Sequence, residues 1–543
     1  MPYTEHEIKV LSHFFTSTDG EEYAATDAMP SELWACLAGG ASRSHLSVRD
    51  RFLQIFHDTY PSPVEYNECL EHIAQAIEAQ NTSYLKPAME RATKFMTKWS
   101  INYGHNSLKD SSTDRVVVDH VSIRGAKLLE ETNLGAFQEK STRYVDFSKA
   151  EPILPALPTQ EFDAWIRRVL DRSDRLYARM TRECTEYYMH TLPDADFKDK
   201  AAKKRTATAK AFDTARYCLL ACKPTALAFT MPSRETERHL SNLMASDNAE
   251  VASIANNVVE GAKQVNPGLL THLTPNKFHG ARCDMSTLES ELSYLIDGIT
   301  IEPNIVHSSD EPLVSLHTAS PNVLARLAAS ILQVNAPVPG RSYRATLNEL
   351  IDRDVLNFDI IEHRLKSRGQ YDDLPKEFGC CEFVFDIVMD YGAYRDLQRH
   401  RVGSQIVSDL NTENGYTVPS LLNLSELADL KGSYVECLND IHALHQSLRD
   451  HCLTSEAEYF FALGHNVHFT YTCDFRQLIY LVELRTRPAG HESYRLVAQK
   501  MFDQLIDNGI DWVPEREKFV SLFRIDRSTD TTRAAQENKA QTR

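Results

Sequence analysis

The stretch Phe137-Gln138-Glu139-Lys140-Ser141-Thr142-Arg143-Tyr144 carries a carboxylate, a hydroxyl and a guanidinium at alternate positions. If the stretch is extended, the side-chain period of two puts Glu139, Ser141 and Arg143 on one face. A guanidinium fork matches a phosphate, while the carboxylate and the hydroxyl can bind the other polar groups of a ligand. A nucleoside monophosphate fits this description. The alternative interpretation is a solvated strand edge whose alternation is accidental.

A second basic stretch, Arg399-His400-Arg401-Val402-Gly403-Ser404, follows a strand-like run over 382–388 and a helix-like run over 390–398. Consecutive helical residues point roughly 100° apart, so the three basic side chains can face one ligand only where the helix ends. Two guanidinium groups beside an imidazole suit a pyrophosphate and an electron-rich ring. The alternative is a basic helix end that complements the helix macrodipole.

Together, the two stretches resemble the signature of the flavin-dependent thymidylate synthases, the ThyX family, which reads Arg-His-Arg-x-x-Ser-x-Asn-Glu-x-Ser-x-Arg. The second half of the chain keeps the first part of it as Arg399, His400, Arg401 and Ser404. The first half keeps the second part as Gln138, in place of the family's Asn, Glu139, Ser141 and Arg143. The lost positions fall on Glu131, Thr132 and Asn133 in the first half, and on Ile406, Val407, Asp409 and Asn411 in the second. The resemblance therefore implies a duplicated chain with the signature split between its copies.

Further family landmarks occur in the same order. The segment Tyr103-Gly104-His105-Asn106-Ser107 resembles an upstream flavin-site segment of the family, whereas its counterpart, Ser367-Arg368-Gly369-Gln370, lacks the histidine. The pair Ala215-Arg216 resembles the family pair whose arginine binds the nucleotide, and the second copy has Ala457-Glu458 at this place.

Two more landmarks fall near the end of each copy. The family's Asn-x-Arg is matched by Asp474-Phe475-Arg476 and, less well, by Pro232-Ser233-Arg234. A family arginine near the pyrimidine matches Arg485, and Leu243 stands in its place in the first copy.

The predicted fold class is α+β, with two tandem ThyX-like domains that each have a small, mostly antiparallel sheet surrounded by helices. The openings of the copies, Ile8-Lys9-Val10-Leu11 and Pro312-Leu313-Val314-Ser315-Leu316, both precede a helix-like stretch, and a repeat of this length indicates domain duplication. Apolar residues at intervals of three and four predict helix over 165–187, 209–222 and 235–265. The predicted domains are 1–308 and 309–525, followed by a polar, disordered tail over 526–543.

Composition narrows the functional class. The net charge of -17 disfavours general binding to nucleic-acid backbones, which depends on neutralising phosphates. No apolar run approaches the length of about 18 residues that a membrane span needs, and the N-terminus has no secretory pattern, so a cytoplasmic protein is expected. The eleven cysteines are expected to be reduced core thiols. His465, His468 and Cys473 match no common zinc spacing, so no metal site is predicted.

The resemblance implies reductive methylation of dUMP to dTMP, with FAD as cofactor and with methylenetetrahydrofolate and NADPH as co-substrates. It assigns catalysis to Arg399, Ser141, Glu139 and Arg485. It assigns the flavin to Arg399, His400, Arg401, Ser404, His105, Ser107 and Arg476. It assigns the nucleotide to Gln138, Glu139, Ser141, Arg143, Arg216 and Arg485.

Family members are homotetramers with sites at subunit interfaces, so a double-length chain is expected to form a homodimer with about one flavin per chain rather than two. Two alternatives stay open. One is flavin-dependent methyl or hydroxymethyl transfer to another pyrimidine nucleotide. The other is a non-catalytic nucleotide-binding or scaffold protein that keeps only the fold.

Overall fold

Two separate antiparallel sheets, each accompanied by helices, organise the fold. The structure is a computed structural model that describes residues 3–19, 24–41, 46–79, 85–98, 106–270, 273–279, 311–336, 339–513 and 516–528. The first sheet has the strand order β1-β3-β2, and the second has the order β4-β5-β7-β6. The strands are β1 Thr113–Ser122, β2 Ala136–Glu139, β3 Pro224–Pro232, β4 Leu313–Ala319, β5 Glu382–Asp390, β6 Ser404–Val407 and β7 Asn466–Asp474. The predicted α+β fold class is confirmed.

Helices make up most of the remaining described chain. Those of the first half are α1 Glu5–Phe14, α2 Ser31–Ala41, α3 Val48–Thr59, α4 Pro63–Glu78, α5 Lys86–Met96, α6 Ile123–Leu129, α7 Asp163–Thr191, α8 Lys200–Ala215, α9 Ser233–Leu243, α10 Ala249–Val265 and α11 Pro267–Leu270. Those of the second half are α12 Val323–Asn335, α13 Tyr343–Leu350, α14 Asp354–Leu365, α15 Tyr391–Leu397, α16 Ala428–Asp450, α17 Thr454–Ala457, α18 Phe475–Arg485, α19 Glu492–Gln504 and α20 Arg516–Ser521. In the described part of the chain, no helix combines the length and the hydropathy that a membrane crossing needs.

The chain divides into two compact units that do not follow the sequence halves. The first unit consists of Met1–Val121, Leu128–Glu139 and Thr225–Ile299. The second unit consists of Ser122–Lys127, Lys140–Pro224 and Thr300–Arg543, so it contains part of each half. The predicted boundary at 308 lies outside the described residues, as does most of the predicted tail. The start of that tail is packed, because Asp526 N donates to Thr486 Oγ1 over 3.1 Å.

Each half of the sequence repeats the same strand and helix order. A strand runs directly into a short helix at β1-α6 and again at β5-α15, and a later strand runs into a longer helix at β3-α9 and again at β7-α18. The short strands β2 and β6 pair antiparallel with β3 and β7, respectively. This correspondence is consistent with the tandem duplication.

Within the second unit, equivalent segments of the two copies bond to each other. Ala221 N donates to Phe461 O over 2.8 Å, and Leu463 N donates to Leu219 O over 2.8 Å. Leu220 and Ala462 form the bridge between these two bonds. Reciprocal bonds between equivalent positions are the pattern of a local twofold relation. This pairing holds part of the first copy in the same unit as the second copy.

The two copies open differently, which corrects the expected repeat of their first segments. Leu313–Ala319 is a strand as expected, but Ile8-Lys9-Val10-Leu11 lies in helix α1. Thr4 caps this helix, since its side chain accepts from Glu7 N while Glu7 accepts from Thr4 N. Such a capping box favours helix over strand. The helices predicted over 209–222 and 235–265 were also too long. Helix α8 ends at Ala215, and the second range is divided into two helices, α9 and α10.

Candidate functional site

The side chain of Arg216 is a buried cation. Helix α8, which Asp199 caps, ends at Ala215, and Arg216 begins a short 3-10 turn that directs it into the core of the second unit. Only 2% of Arg216 is exposed. Among the described residues, its Nε and Nη2 have no hydrogen-bond partner. Burying a guanidinium in this way is costly unless an anion completes the site.

Three carboxylates interact electrostatically with Arg216, namely those of Asp213, Asp390 and Asp396. Burial opposes the ionisation of Asp213, but its hydrogen bonds with Arg143 outweigh burial and hold its pKa below the usual value. Burial likewise opposes the ionisation of Asp396, and the charges of Arg216 and nearby arginines lower its pKa. The cluster therefore holds ionised carboxylates among arginines.

Asp390 differs from the other two carboxylates. Burial raises its pKa, and the charge of Arg216 opposes this only in part. Asp390 caps helix α15 by accepting from Ala393 N over 2.7 Å, and it also accepts from Ser493 Oγ. Its first role is therefore structural, because it fixes the start of the helix that leads to the Arg-His-Arg stretch.

Arg143 is held in a fixed orientation by Asp213. Its Nε and Nη2 donate to the two carboxylate oxygens over 2.6 and 2.8 Å. Its Nη1 lies 3.5 Å from Tyr494 Oη, and its Nη2 also reaches Ala489 O at 3.4 Å. A two-pronged pair of this kind fixes the plane of the guanidinium. Residues from both halves thus meet around Arg143.

The Arg-His-Arg stretch lies just after the end of helix α15, at the position that sequence reasoning required. His400 is buried, and its Nε2 accepts from Arg485 Nε over 2.7 Å. Burial, with the charge of Arg485, lowers the pKa of His400 to about 3, so the imidazole is neutral near pH 7. Arg485 also donates to Asp396 O over 2.6 Å and lies over the ring of Tyr494 at 5.3 Å. His400 therefore positions Arg485.

The other predicted flavin residues of the second unit lie closer to the surface. The Arg399 side chain is 51% exposed, and its Nη1 is 3.9 Å from Asp396 Oδ1. Arg401 is half-buried, with its Nε and Nη2 shielded from solvent, and Ser404 is exposed at the start of β6. Arg476 Nε donates to Leu374 O over 2.6 Å, so it serves at least a structural role.

The expectation that Glu139, Ser141 and Arg143 share one face of a strand is wrong. Strand β2 ends at Glu139, and a turn follows in which Val145 N donates to Ser141 O over 3.1 Å. Ser141 Oγ accepts from Arg143 N over 3.2 Å. Serine favours this local bond over continued strand pairing, which explains the break.

Four predicted residues belong to the first unit or fall outside the described chain. Gln138 and Glu139 lie on β2, opposite Ala228 and Leu227 of β3. Ser107 is exposed in a short 3-10 helix. His105 lies outside the described residues. The roles of these residues stay predictions.

The counterpart of Arg216 in the second copy is an internally paired carboxylate. Glu458 is buried and accepts from Arg124 Nε over 2.6 Å and from Leu410 N over 3.1 Å. The charge at this position is therefore reversed, and a side chain of the protein already neutralises it. This position cannot present a cation to an anionic ligand.

Sequence reasoning missed the acidic and aromatic partners of these arginines. Asp213 and Asp396 each stand three residues before a predicted arginine, Arg216 and Arg399, which is a helical spacing that would have indicated them. His491 is a further example: it caps helix α19, and burial lowers its pKa to about 3. Only the folded chain brings it near this cluster.

Comparison with known proteins places these features in a family. A UPF0159 protein of Chlamydia muridarum is 27% identical over 99% of this chain and 98% of its own length. A UPF0159 protein of Chlamydia pneumoniae is 25% identical over 93% of this chain and 92% of its own length. The crystal structure of a UMP/dUMP methylase, PolB, from Streptomyces cacaoi bound with 5-Br dUMP matches with a TM-score of 0.31 and 17% identity, over 40% of this chain and 97% of that chain.

The sequence model of the family Thy1, thymidylate synthase complementing protein, matches residues 59–268 and 345–509. Its two matched segments fall in the two halves of the chain, as duplication predicts. The chain therefore belongs to the thymidylate synthase complementing protein family, which is the ThyX family that its split signature resembles.

Proposed function

We propose that the chain is a flavin-dependent thymidylate synthase-like methyltransferase that converts dUMP to dTMP, using methylenetetrahydrofolate and NADPH. The observation that carries this proposal is the buried guanidinium of Arg216, whose Nε and Nη2 have no acceptor among the residues that the structure describes. Arg485 and Arg143, which come from different halves of the sequence, belong to the same compact unit. Family membership supports the same reaction class.

In this proposal the nucleotide phosphate completes the coordination of Arg216. A phosphate would supply the acceptors that the guanidinium lacks, and a charge-assisted pair of this kind is strong in a buried place. Asp213 fixes Arg143 beside it, so the donors are oriented before the ligand arrives. Preorganised donors of this kind cost little reorganisation when the ligand binds.

Arg485 is the residue that we assign to the pyrimidine ring. The neutral His400 ring accepts from its Nε, and Asp396 O accepts from its Nη2, so two bonds fix the guanidinium. A guanidinium held in this way can donate to a ring carbonyl oxygen and stabilise negative charge that develops on the ring. Its role is therefore electrostatic, and it needs no proton transfer of its own.

FAD fits the donor chemistry of the Arg-His-Arg stretch. Arg399 is half-exposed beside the buried cluster, and Arg401 follows two residues later, so both can supply donors to a pyrophosphate. When bound, FAD would supply the reducing equivalents of the reaction. We assign Ser404 and Arg476, which belong to the same unit, to the same cofactor.

The proposal includes one nucleotide site and one flavin for each chain. The Arg216 position has an equivalent in the second copy, but Glu458 occupies it and pairs with Arg124. Each copy keeps signature residues that the other copy has lost, which also favours one site per chain. We also propose that the chain assembles as a homodimer in place of the family's tetramer.

Visible absorbance tests the cofactor directly. The protein is purified without added cofactor, and spectra are recorded anaerobically before and after addition of NADPH, with and without dUMP. Flavin bands equivalent to one FAD per chain that bleach with NADPH, at a rate that dUMP changes, are the expected result. A colourless protein that also fails to take up added FAD would leave only a binding or scaffold role.

Product analysis tests the substrate. Methylenetetrahydrofolate and NADPH are supplied with dUMP, UMP or dCMP, and the nucleotides are separated and identified by mass spectrometry. The proposal expects dTMP from dUMP and much slower turnover of the other two. Preferred methylation of UMP or dCMP would replace dUMP as the substrate while keeping the site.

A further inference from the structure

Within the part of the chain that the structure describes, nothing pairs with the outer edge of strand β1. In the sheet order β1-β3-β2, β1 pairs on one side only. At its start, Thr113 N donates to Ser31 Oγ over 3.3 Å. Over the described ranges, no other strand pairs with the outer edge, and the backbone of 115–120 forms no bond to a turn or loop. The described chain therefore leaves a row of peptide groups available on this edge.

The second sheet fills the equivalent position with a strand. There β4 pairs antiparallel with β5, the counterpart of β1, from Leu313 opposite Val388 to Ala319 opposite Phe383. Helix α19 borders β4, and Leu316 N donates to Gln504 Oε1 of that helix over 3.4 Å. The first unit has helix α10 as the counterpart of α19. Between α10 and the outer edge of β1 lies a groove of about 730 Å³.

The sequence of β1 is complementary to itself when it is reversed. It reads Thr113-Asp114-Arg115-Val116-Val117-Val118-Asp119-His120-Val121-Ser122. If two copies pair antiparallel with Val117 opposite Val117, then Arg115 stands opposite Asp119, Asp114 stands opposite His120, and valines meet between them. Opposite charges directly across an antiparallel pair attract each other.

Neighbouring registers lose this match. A shift of one residue in one direction places Asp114 opposite Asp119, and a shift in the other direction places Asp119 opposite Val116, so neither register keeps the Arg115–Asp119 pair. Like charges directly opposite each other are unfavourable. Charged residues on an edge strand usually prevent it from pairing with another strand. In β1 the charged residues instead lie opposite residues of opposite charge in one symmetric register, which favours pairing of two copies.

The exposure of the central residue agrees with this register. Val117 is 66% exposed, flanked by the exposed Arg115 and Asp119 on the same face of the strand.

We propose that the outer edge of β1 is a homodimer interface, in which β1 of two chains pairs antiparallel about Val117. The two three-stranded sheets then form one continuous six-stranded sheet, and the twofold axis passes through Val117. A strand pair alone is small beside the buried area of about 1,600 Å² that is usual for stable complexes. The half-exposed apolar stripe of α10, formed by Ile254, Val258, Ala262 and Val265, lines the groove and adds to the contact. This proposal does not rest on the proposed enzymatic activity.

Charge exchange on the exposed face tests the interface. Arg115→Asp places carboxylates opposite each other, and Asp119→Arg places guanidinium groups opposite each other, while both side chains are exposed and their replacement spares the core. The assembled mass is measured for the full chain by light scattering coupled to gel filtration. We expect each single variant to show half the mass of the wild type.

Two recombinations provide the decisive controls. The double variant R115D/D119R restores opposite signs, as does an equimolar mixture of the two single variants, so both should recover the wild-type mass. A matched variant elsewhere, Arg175→Asp, breaks the exposed pair with Asp171 on α7 and should leave the mass unchanged. A monomeric wild type, or single variants that keep the wild-type mass, would overturn the proposal. The same holds if the single variants lose mass but neither recombination restores it.

Discussion

Arg485 Nε donates to His400 Nε2 over 2.7 Å, which joins the arginine assigned to the nucleotide base to the histidine of the split signature. The bond requires a neutral imidazole, and burial keeps His400 neutral near pH 7 because its pKa is lowered to about 3. His400 thus acts on the site through Arg485. Conservative and disruptive substitutions of His400 can therefore distinguish its role in positioning Arg485 from a role in flavin binding.

We expect His400→Leu to lower kcat/KM for dUMP methylation by about 100-fold, because Arg485 loses one of the two acceptors that fix its guanidinium. His400→Gln offers an amide oxygen as a substitute acceptor and should recover part of the loss. Flavin content is measured in parallel by absorbance. If the leucine variant loses FAD in proportion to activity, His400 acts on the cofactor and not through Arg485.

Arg216→Leu should abolish detectable dUMP binding, whereas Arg216→Lys should weaken it by roughly 100-fold, because lysine keeps the charge without the planar fork. Calorimetric titration of dUMP measures both. Arg175→Leu, at an exposed position of α7, serves as the control and should bind like the wild type. Equal affinity of Arg216→Lys and the wild type would show that the fork makes no phosphate contact.

The sequence predicted the separate parts of this site better than their connections. The strand-then-helix pattern predicted before Arg399 occurs as β5 and α15, since apolar strands and capped helices depend on local residue order. The one-face arrangement of Ser141 and Arg143 failed because a serine hydroxyl bonded to the backbone of its own turn. His491 gave no local signal, since its contact with the backbone oxygen of Asp213 joins residues far apart in the sequence.

The first segment of the chain shows a second limit of sequence reasoning. Ile8-Lys9-Val10-Leu11 and Leu313-Val314-Ser315-Leu316 are equally apolar, and both read as openings of a repeat. The capping box of Thr4 and Glu7 favours helix α1 for the first segment, so among the described residues β1 lacks the strand neighbour that β4 provides for β5.

We expect Glu458→Ala to lower the free energy of unfolding by about 3–5 kcal/mol, because it leaves the mostly buried Arg124 without its carboxylate partner. Chemical denaturation measures the change. The double variant Arg124→Met/Glu458→Leu removes both charges and should recover most of the loss. The number of dUMP molecules bound per chain should stay at one in both variants, and a gain of a second site would contradict the assignment of Glu458 as a closed counterpart of Arg216.

Four buried histidines predict acid sensitivity of the second unit. Burial first, with neighbouring charges, lowers the pKa of His400, His465 and His491 to about 3 and that of His445 to about 4. In the unfolded chain these groups bind protons below a pH of about 6.5, whereas in the folded chain they do not until pH 3 to 4. The contribution of these histidines to the free energy of unfolding is therefore complete above pH 6.5. It falls as the pH decreases through this window, by up to about 1.4 kcal/mol per pH unit for each histidine. Burial raises the pKa of Asp390, which has the opposite effect on stability, but it is one group against four histidines. Thermal unfolding midpoints measured from pH 8 to pH 5 should fall steadily below pH 6.5, and a midpoint that does not change down to pH 5 would show that these imidazoles are already charged in the folded state.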